Sequence, residues 1–202
     1  MTATSRDPTT ESVVAVVLAA GLSRRYGAPK QLLPWRGTTL VRHSVATLVA
    51  AGITHIAVVV GHAAAAVRAA CADASVAYVE NAAYATGQAS SVVCGVHWAQ
   101  THGAARMLVM PCDQPFIAPH HIQALCAAPP AQVSMYQVAG QPCQPSLWAA
   151  ETYPLLSTLT GDAGGRALIY RGLLTAQYLA ADTPALATDI DTPAEYAALC
   201  AL

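Results

Sequence analysis

The chain has 202 residues, a formal net charge of -1 and 10% charged residues, against 54% hydrophobic and 6% aromatic. A chain of this length can bury a large core as one domain, and a core made mainly from Ala, Val and Leu suits a layered α/β protein. The near-neutral balance, with a sequence pI near 6.6, gives no electrostatic case for nucleic acid or a membrane surface, although a free nucleotide remains compatible with it.

In chain order, residues 1–12 are polar, carry Arg6, Asp7, Pro8 and Glu11, and lack the apolar centre of a secretory signal. They are expected to form a flexible tail, with residues 13–202 as the single domain. No later apolar run is long enough to cross a bilayer. Cys71, Cys94, Cys112, Cys126, Cys143 and Cys200 show neither a Cys-x-x-Cys pair nor a zinc spacing. Cytoplasmic residence, and thiols that mostly act as small buried hydrophobes, are the expectations.

The β-branched run at 13–17 reads as a buried strand. After it comes Leu18-Ala19-Ala20-Gly21-Leu22-Ser23-Arg24-Arg25-Tyr26-Gly27-Ala28-Pro29-Lys30-Gln31, which holds the chain's only lysine. Small residues let backbone N–H groups approach an anion, and Arg25 and Lys30 add positive charge, so this loop points to phosphate. It has neither the Lys-Ser/Thr ending of a P-loop nor a Gly-x-Gly-x-x-Gly. The plainer alternative is a tight strand-to-helix turn with solvated charges.

Thr38 or Thr39 can cap a helix running to about Ala51, where Gly52 suits its C-terminus. Residues 56–60 follow as strand, 63–72 as helix and 76–79 as strand. The stretch 81–95 is polar where a helix over 90–100 should begin. Ser90 and Ser91 there can bind sugar or phosphate oxygens and Gly87 permits close approach to a base, or the two serines simply cap the helix. A strand at 107–110 then emerges into Pro111-Cys112-Asp113-Gln114-Pro115. Asp113 is placed to hold Mg²⁺ through a carboxylate oxygen, and taken alone it also reads as a turn aspartate before Pro115.

Residues 119–127 read as a helix, with His120 and His121 expected as exposed histidines at its start, the alternative being that, so soon after Asp113, they touch substrate. Short strands at 133–136, 145–148 and 176–179 have no order that the sequence fixes. Leu159-Thr160-Gly161-Asp162-Ala163-Gly164-Gly165-Arg166 either caps a helix and ties Asp162 to Arg166, or recognises substrate. Asp189-Ile190-Asp191-Thr192-Pro193-Ala194-Glu195 has an N-cap, a first-turn proline and the acid of a capping box, and the same turn can aim Asp191, with Asp189 behind it, at a metal. The strand and helix rhythm predicts a mostly parallel sheet wrapped by helices, with ligands at the carboxyl ends of its strands.

The opening loop, the Gly-x-x-x-Ser-hydrophobic pattern at Gly87 to Val92, Asp113, the Gly-Asp-x-Gly-x-Arg stretch and Asp-x-Asp-Thr-Pro occur in one order. In this the chain resembles the molybdenum cofactor cytidylyltransferase-like nucleotidyltransferases over nearly its whole length. The resemblance implies a single three-layer α/β/α Rossmann-like domain with a mixed, mostly parallel sheet. It further implies transfer of CMP from CTP, or of a nucleotidyl group from another triphosphate, to the phosphate of a molybdopterin-type cofactor, with Mg²⁺. Leu-Ala-Ala-Gly looks like the cytidine-using branch.

On that basis Arg25 and Lys30 are the catalytic residues. Leu18, Ala19, Ala20, Gly21, Ser23, Arg25, Lys30, Gly87, Ser90, Ser91 and Asp113 bind nucleotide, Asp113 and Asp191 hold the metal, and Gln114, Asp162 and Arg166 meet the second substrate. The product would pass to a molybdenum hydroxylase, and neither nucleic acid nor a membrane is an expected partner. Guanylyl transfer, cytidylyl transfer to a sugar or polyol phosphate, and noncatalytic carriage of the cofactor are the competing readings. The chain departs from the pattern at Cys112, at Cys143 with Gln144, and at Gly165, where alanine is usual.

Overall fold

A computed structural model describes residues 12–201. The tail expected at 1–12 lies outside these apart from Ser12, whose carbonyl accepts the amides of Ala105 and Arg106 at 3.1 and 3.2 Å. The first apolar run is β1 (Val13–Leu18). Its side chains alternate across the sheet, with Ala15 and Val17 in one apolar core and Val14 and Val16 in the other. A strand buried on both faces belongs at the centre of a three-layer stack.

The small ribbon β2 (Pro34–Trp35) and β3 (Thr38–Thr39) leads into α1 (Leu40–Ala50), capped by the Thr39 side chain accepting from the Arg42 amide. Then follow β4 (Ile56–Val60), α2 (Ala64–Ala70), β5 (Ala77–Glu80), α3 (Gln88–Thr101) and β6 (Arg106–Pro111). The remainder is α4 (Pro119–Ala127), β7 (Val133–Val138), β8 (Gln141–Ala149), α5 (Tyr153–Leu156), α6 (Arg166–Tyr170), β9 (Ala176–Ala180) and α7 (Pro193–Cys200). The seven-stranded sheet runs β5-β4-β1-β6-β8-β7-β9. Only β8 opposes the common direction, pairing antiparallel with both β6 and β7. The fold is therefore the single α/β domain with a mixed, mostly parallel sheet that the sequence predicts.

One core is closed by Val41, Val45 and Leu48 of α1, Val67 of α2 and Ile122 and Leu125 of α4. The other is closed by Val92, Val96 and Ala99 of α3 with Leu156 and Leu168. Gly95 lets α3 lie close to the sheet, because a Cβ there would stand 2.7 Å from a Val16 methyl. Of the cysteines, Cys71, Cys112 and Cys143 are buried, Cys94 and Cys126 half-buried and Cys200 exposed. No helix among the described residues is long and apolar enough to cross a membrane.

The histidine pair needs a correction. His120 is exposed as expected, but His121 is buried, because its Nδ1 accepts the Ala118 amide at 2.9 Å and so caps the first turn of α4. Both Nε2 atoms lie 2.8 Å from the Asp182 carboxylate, whose pKa is drawn down to about 2 by hydrogen bonds from His121 and then His120. Two histidines and an aspartate in such proximity have the composition of a metal centre. The capping bond argues otherwise: it occupies the Nδ1 lone pair of His121 and leaves the ring proton on Nε2, where a metal would need a lone pair. The cluster is a clasp joining the start of α4 to the segment that follows β9.

Candidate active site

The loop after β1 is wound around Gln31, which is 2% exposed. The Gln31 amide nitrogen donates to the carbonyls of Gly21 and His62 at 3.5 and 3.2 Å, and its oxygen accepts the Ser23 hydroxyl at 3.3 Å. Ser23 adopts φ +52° and accepts the Lys30 amide on its hydroxyl at 3.0 Å. Among the described residues, no protein group accepts from the amides of Ala20, Gly21, Leu22 or Ser23. Successive unpaired N–H groups beside a cavity form an anion cradle.

That cavity has a volume of about 460 Å³ and is lined by Leu18 to Arg25, Lys30, Gly87, Ser91, Asp113, Asp162 and Asp191, among others. Two carboxylates converge at its mouth. Asp113 follows β6, and its carbonyl accepts the Ile190 amide at 3.0 Å, which brings the C-terminal segment alongside. Asp191 is held from behind by the expected capping box: the Glu195 carboxylate accepts the Asp191 and Thr192 amides at 2.9 and 2.8 Å. Lys30 Nζ stands 2.8 Å from Asp113 and 2.8 Å from Asp191, and Arg25 reaches Asp191 at 2.6 Å.

Electrostatics follows that geometry. Burial alone would lower the Lys30 pKa, but Asp113 and Asp191 outweigh it and hold the ammonium above its usual value. Burial would likewise raise Asp191, yet hydrogen bonding and charge from Lys30, then Arg25, pull it below the ordinary carboxylate range. Asp189, two residues earlier, moves the other way: burial raises it, and the Asp113 and Asp191 charges add to the rise against a 2.5 Å hydrogen bond from Gln114. Hard divalent ions take carboxylate oxygens. Asp113 and Asp191 come from separate loops and meet on a single cationic group, so their donor set fits such an ion.

On the opposite wall, Gly87 has φ +122°, and a Cβ there would run into the Gly161 carbonyl. Ala89 donates its amide to that same carbonyl at 3.0 Å, so the loop 81–88 and the loop carrying Asp162 are locked together. Asn81 organises the helix start, donating to both Ser90 and Ser91 hydroxyls at 2.9 Å. Ser91 lines the cavity. Ser90 lies outside the lining, with its hydroxyl donating to the Gly87 carbonyl at 2.8 Å. Sequence reasoning assigned no role to Asn81 or Gln31, although a buried amide beside a loop that needs its backbone held is a recognisable signal.

A second cavity, of about 270 Å³, shares Arg25, Asp113 and Asp191 with the first and extends past Gln114 and Asp189 to Gln144, Trp148 and Arg166. Asp162 and Arg166 do not pair among the described residues: Asp162 faces the first cavity, and Arg166 lines the second and donates to the Pro142 carbonyl at 2.8 Å. The glycine at position 165 also acquires a reason. A Cβ there would stand 2.5 Å from the Trp148 ring, so the indole occupies the space that a methyl group would need.

The site thus has a phosphate-type cradle and a carboxylate pair at the carboxyl ends of parallel strands, the architecture of a nucleotide-handling α/β enzyme. A family profile described as the MobA-like NTP transferase domain matches residues 15–178. The purine catabolism protein PucB of Bacillus subtilis (strain 168) is 32% identical over 91% of this chain and 94% of its own length. The chain belongs to the MobA-like NTP transferase family, and the resemblance to molybdenum cofactor nucleotidyltransferases read from its motifs holds at that level. A molybdenum cofactor guanylyltransferase of Acidiphilium cryptum (strain JF-5) is 33% identical over 62% of each chain. Rv0371c of Mycobacterium tuberculosis H37Rv superposes with a TM-score of 0.80 at 31% identity, covering 96% of this chain and all of that one, and it has also been solved in complex with manganese, where the TM-score is 0.76 at 31% identity over 93% of this chain and 97% of that one.

Proposed function

We propose that the protein transfers CMP from CTP to the phosphate of a molybdopterin-type molybdenum cofactor and releases pyrophosphate. The observation that carries this reading is the meeting of Lys30, Arg25, Asp113 and Asp191 within 2.6 to 2.8 Å contacts beside the amides of Ala20 to Ser23, which have no acceptor among the described residues. The triphosphate lies along the amides of Ala20 to Ser23. Gly87 and Ser91 border the base and sugar, while Ser90 acts through Asn81 and the Gly87 carbonyl. Asp113 and Asp191 would hold Mg²⁺, which would supply neutralisation of phosphate charge.

The acceptor enters through the second cavity, past Gln114 and Arg166. One of its phosphate oxygens attacks the α-phosphorus in line, a new P–O bond forms, and the bond to the bridging oxygen of pyrophosphate breaks. Lys30 and Arg25 balance the charge that accumulates on the transferred and leaving oxygens. No general base is required, because a phosphate monoester is already ionised near neutral pH. The product serves a molybdenum hydroxylase.

The test is pyrophosphate release from CTP, GTP, ATP and UTP, each with Mg²⁺ and purified molybdopterin cofactor. Turnover with CTP is expected. Turnover with GTP alone would reassign the base, in line with the similarity to a guanylyltransferase. Release with a sugar phosphate but not with the cofactor would reassign the acceptor.

A further inference from the structure

Resting on that transferase reading, we propose that Gln144 is the residue that selects the acceptor, by donating from its amide nitrogen to a carbonyl oxygen or ring nitrogen of an oxo-substituted heteroaromatic ring, and that Trp148 and Ser146 position it. All three residues lie on β8 and line the second cavity. The Trp148 indole N–H donates to Ser146 Oγ at 2.8 Å, and the Ser146 hydroxyl lies 2.7 Å from Gln144 Oε1.

The direction of this relay follows from donor inventory. An indole nitrogen can only donate, so the serine oxygen must accept. Ser146 is fully buried, and among the described residues its proton has no acceptor other than Gln144; the proton therefore goes to Gln144, which fixes that contact as the amide oxygen and turns the NH₂ group away. Among the described residues no group pairs with that NH₂. Trp148 and Ser146 are 2% and 0% exposed, so the relay is sheltered from competing water. Gly165 lets the indole sit flush against the start of α6, which connects two of the chain's departures from its family pattern, Gln144 and Gly165.

Arg166 stands at the same end, its guanidinium anchored on Pro142. This end of the cavity is therefore rich in N–H donors, while Val92, Leu156 and the Trp148 ring supply apolar wall. A flat ring edged with oxo groups matches both features. The carboxylate pair, shared with the nucleotide cavity, lies where the phosphate of such a molecule would react.

The experiment titrates a phosphate-free 4-oxopteridine into the full chain by calorimetry, with CTP and Mg²⁺ present, and measures acceptor and nucleotide KM in the pyrophosphate assay. Gln144→Glu keeps the shape and replaces the donor with an acceptor. It is expected to weaken pteridine binding by about tenfold or more, the scale of one lost hydrogen bond with an oxygen set against an oxygen. Trp148→Phe keeps an aromatic ring but frees the serine hydroxyl, and is expected to raise acceptor KM by about threefold with nucleotide KM unchanged. Ser146→Ala gives the same split should the indole change disturb folding.

Equal pteridine binding by the wild type and Gln144→Glu would overturn the proposal, as would no binding by the wild type or a parallel rise in both KM values. A sugar phosphate that binds in place of the pteridine and shows the same Gln144 dependence would overturn the ring assignment. Failure of every triphosphate to release pyrophosphate would instead remove the transferase reading, since pteridine binding is scored without turnover.

Discussion

The two sides of the cleft present different kinds of group. On the side formed by β1, β4 and β6, the phosphate cradle is main-chain, with amides after β1 that have no acceptor among the described residues and a glycine at φ +122° closed against the Gly161 carbonyl, and the charged side chains of Arg25, Lys30, Asp113 and Asp191 stand beside it. On the side formed by β8, the groups turned to the cavity are side chains on a strand, oriented by a relay from Trp148 through Ser146 to Gln144. Main-chain recognition depends on backbone shape and tolerates change in most side chains. Side-chain recognition on a rigid strand can be retuned by single substitutions without disturbing the phosphate cradle. The comparison teaches how one fold can keep its donor chemistry while its acceptor varies.

The sharpest way to break the first side is Lys30→Ala. It removes the one ammonium that both carboxylates share, leaves Asp113 without its cation and Asp191 with Arg25 alone, and withdraws charge from the triphosphate. Turnover should fall by about 10²-fold or more, read as pyrophosphate release per enzyme. A noncatalytic carrier of the finished cofactor would keep its cofactor binding in the same variant, so retained turnover with retained binding would remove Lys30 from the chemistry.

A smaller effect is expected from Gly87→Ala, which tests the main-chain side alone. The new methyl would meet Gly161 backbone, and the residue would be held at φ +122°, where L side chains are strained. Relief requires the loops carrying Gly87 and Asp162 to part. A loss of about 2 kcal/mol or more in urea unfolding is expected. Gly164→Ala supplies the control: a Cβ there meets only the end of the Gln88 side chain, at 3.2 Å, and should be tolerated.

The first side was legible in the sequence because its determinants are local. A buried strand, a loop of small residues with the sole lysine, and an aspartate at the end of a second strand lie within short windows, and α4 occupies the expected residues 119–127. The second side was not. β8 is a nine-residue strand in a hairpin with β7, yet its apolar periodicity is interrupted at Pro142, Gln144 and Pro145, so only 145–148 read as strand. Its reversal against β6 is a tertiary choice that no local propensity encodes. Ser90 and His121 mark the same limit from the other direction. Both sit at helix starts where sequence favours exposure or ligand contact, and both were recruited inward, Ser90 by Asn81 and His121 by the Ala118 amide and Asp182.

The smallest effect separates the two sides within one turn of chain. Asp191 is held by the Lys30 and Arg25 charges and has a lowered pKa, whereas Asp189 faces Gln114 in the second cavity and has a raised one. For Asp191 the unfolded chain takes up its proton first as pH falls. Its contribution to stability is therefore complete above the ordinary carboxylate pKa and is lost as pH drops through the lower folded value. For Asp189 the folded state takes up the proton first, so ionisation at neutral pH costs stability, and that cost is relieved as pH falls through the raised folded value. Asp191→Asn should thus lower the unfolding midpoint at neutral pH and flatten its acid limb. Asp189→Asn, which keeps an oxygen for the Gln114 amide, should raise the midpoint at neutral pH and remove the relief on acidification. Midpoints that move in the same direction for both variants would mean that the two carboxylates share one electrostatic environment, and that the boundary between the nucleotide and acceptor sides does not fall between them.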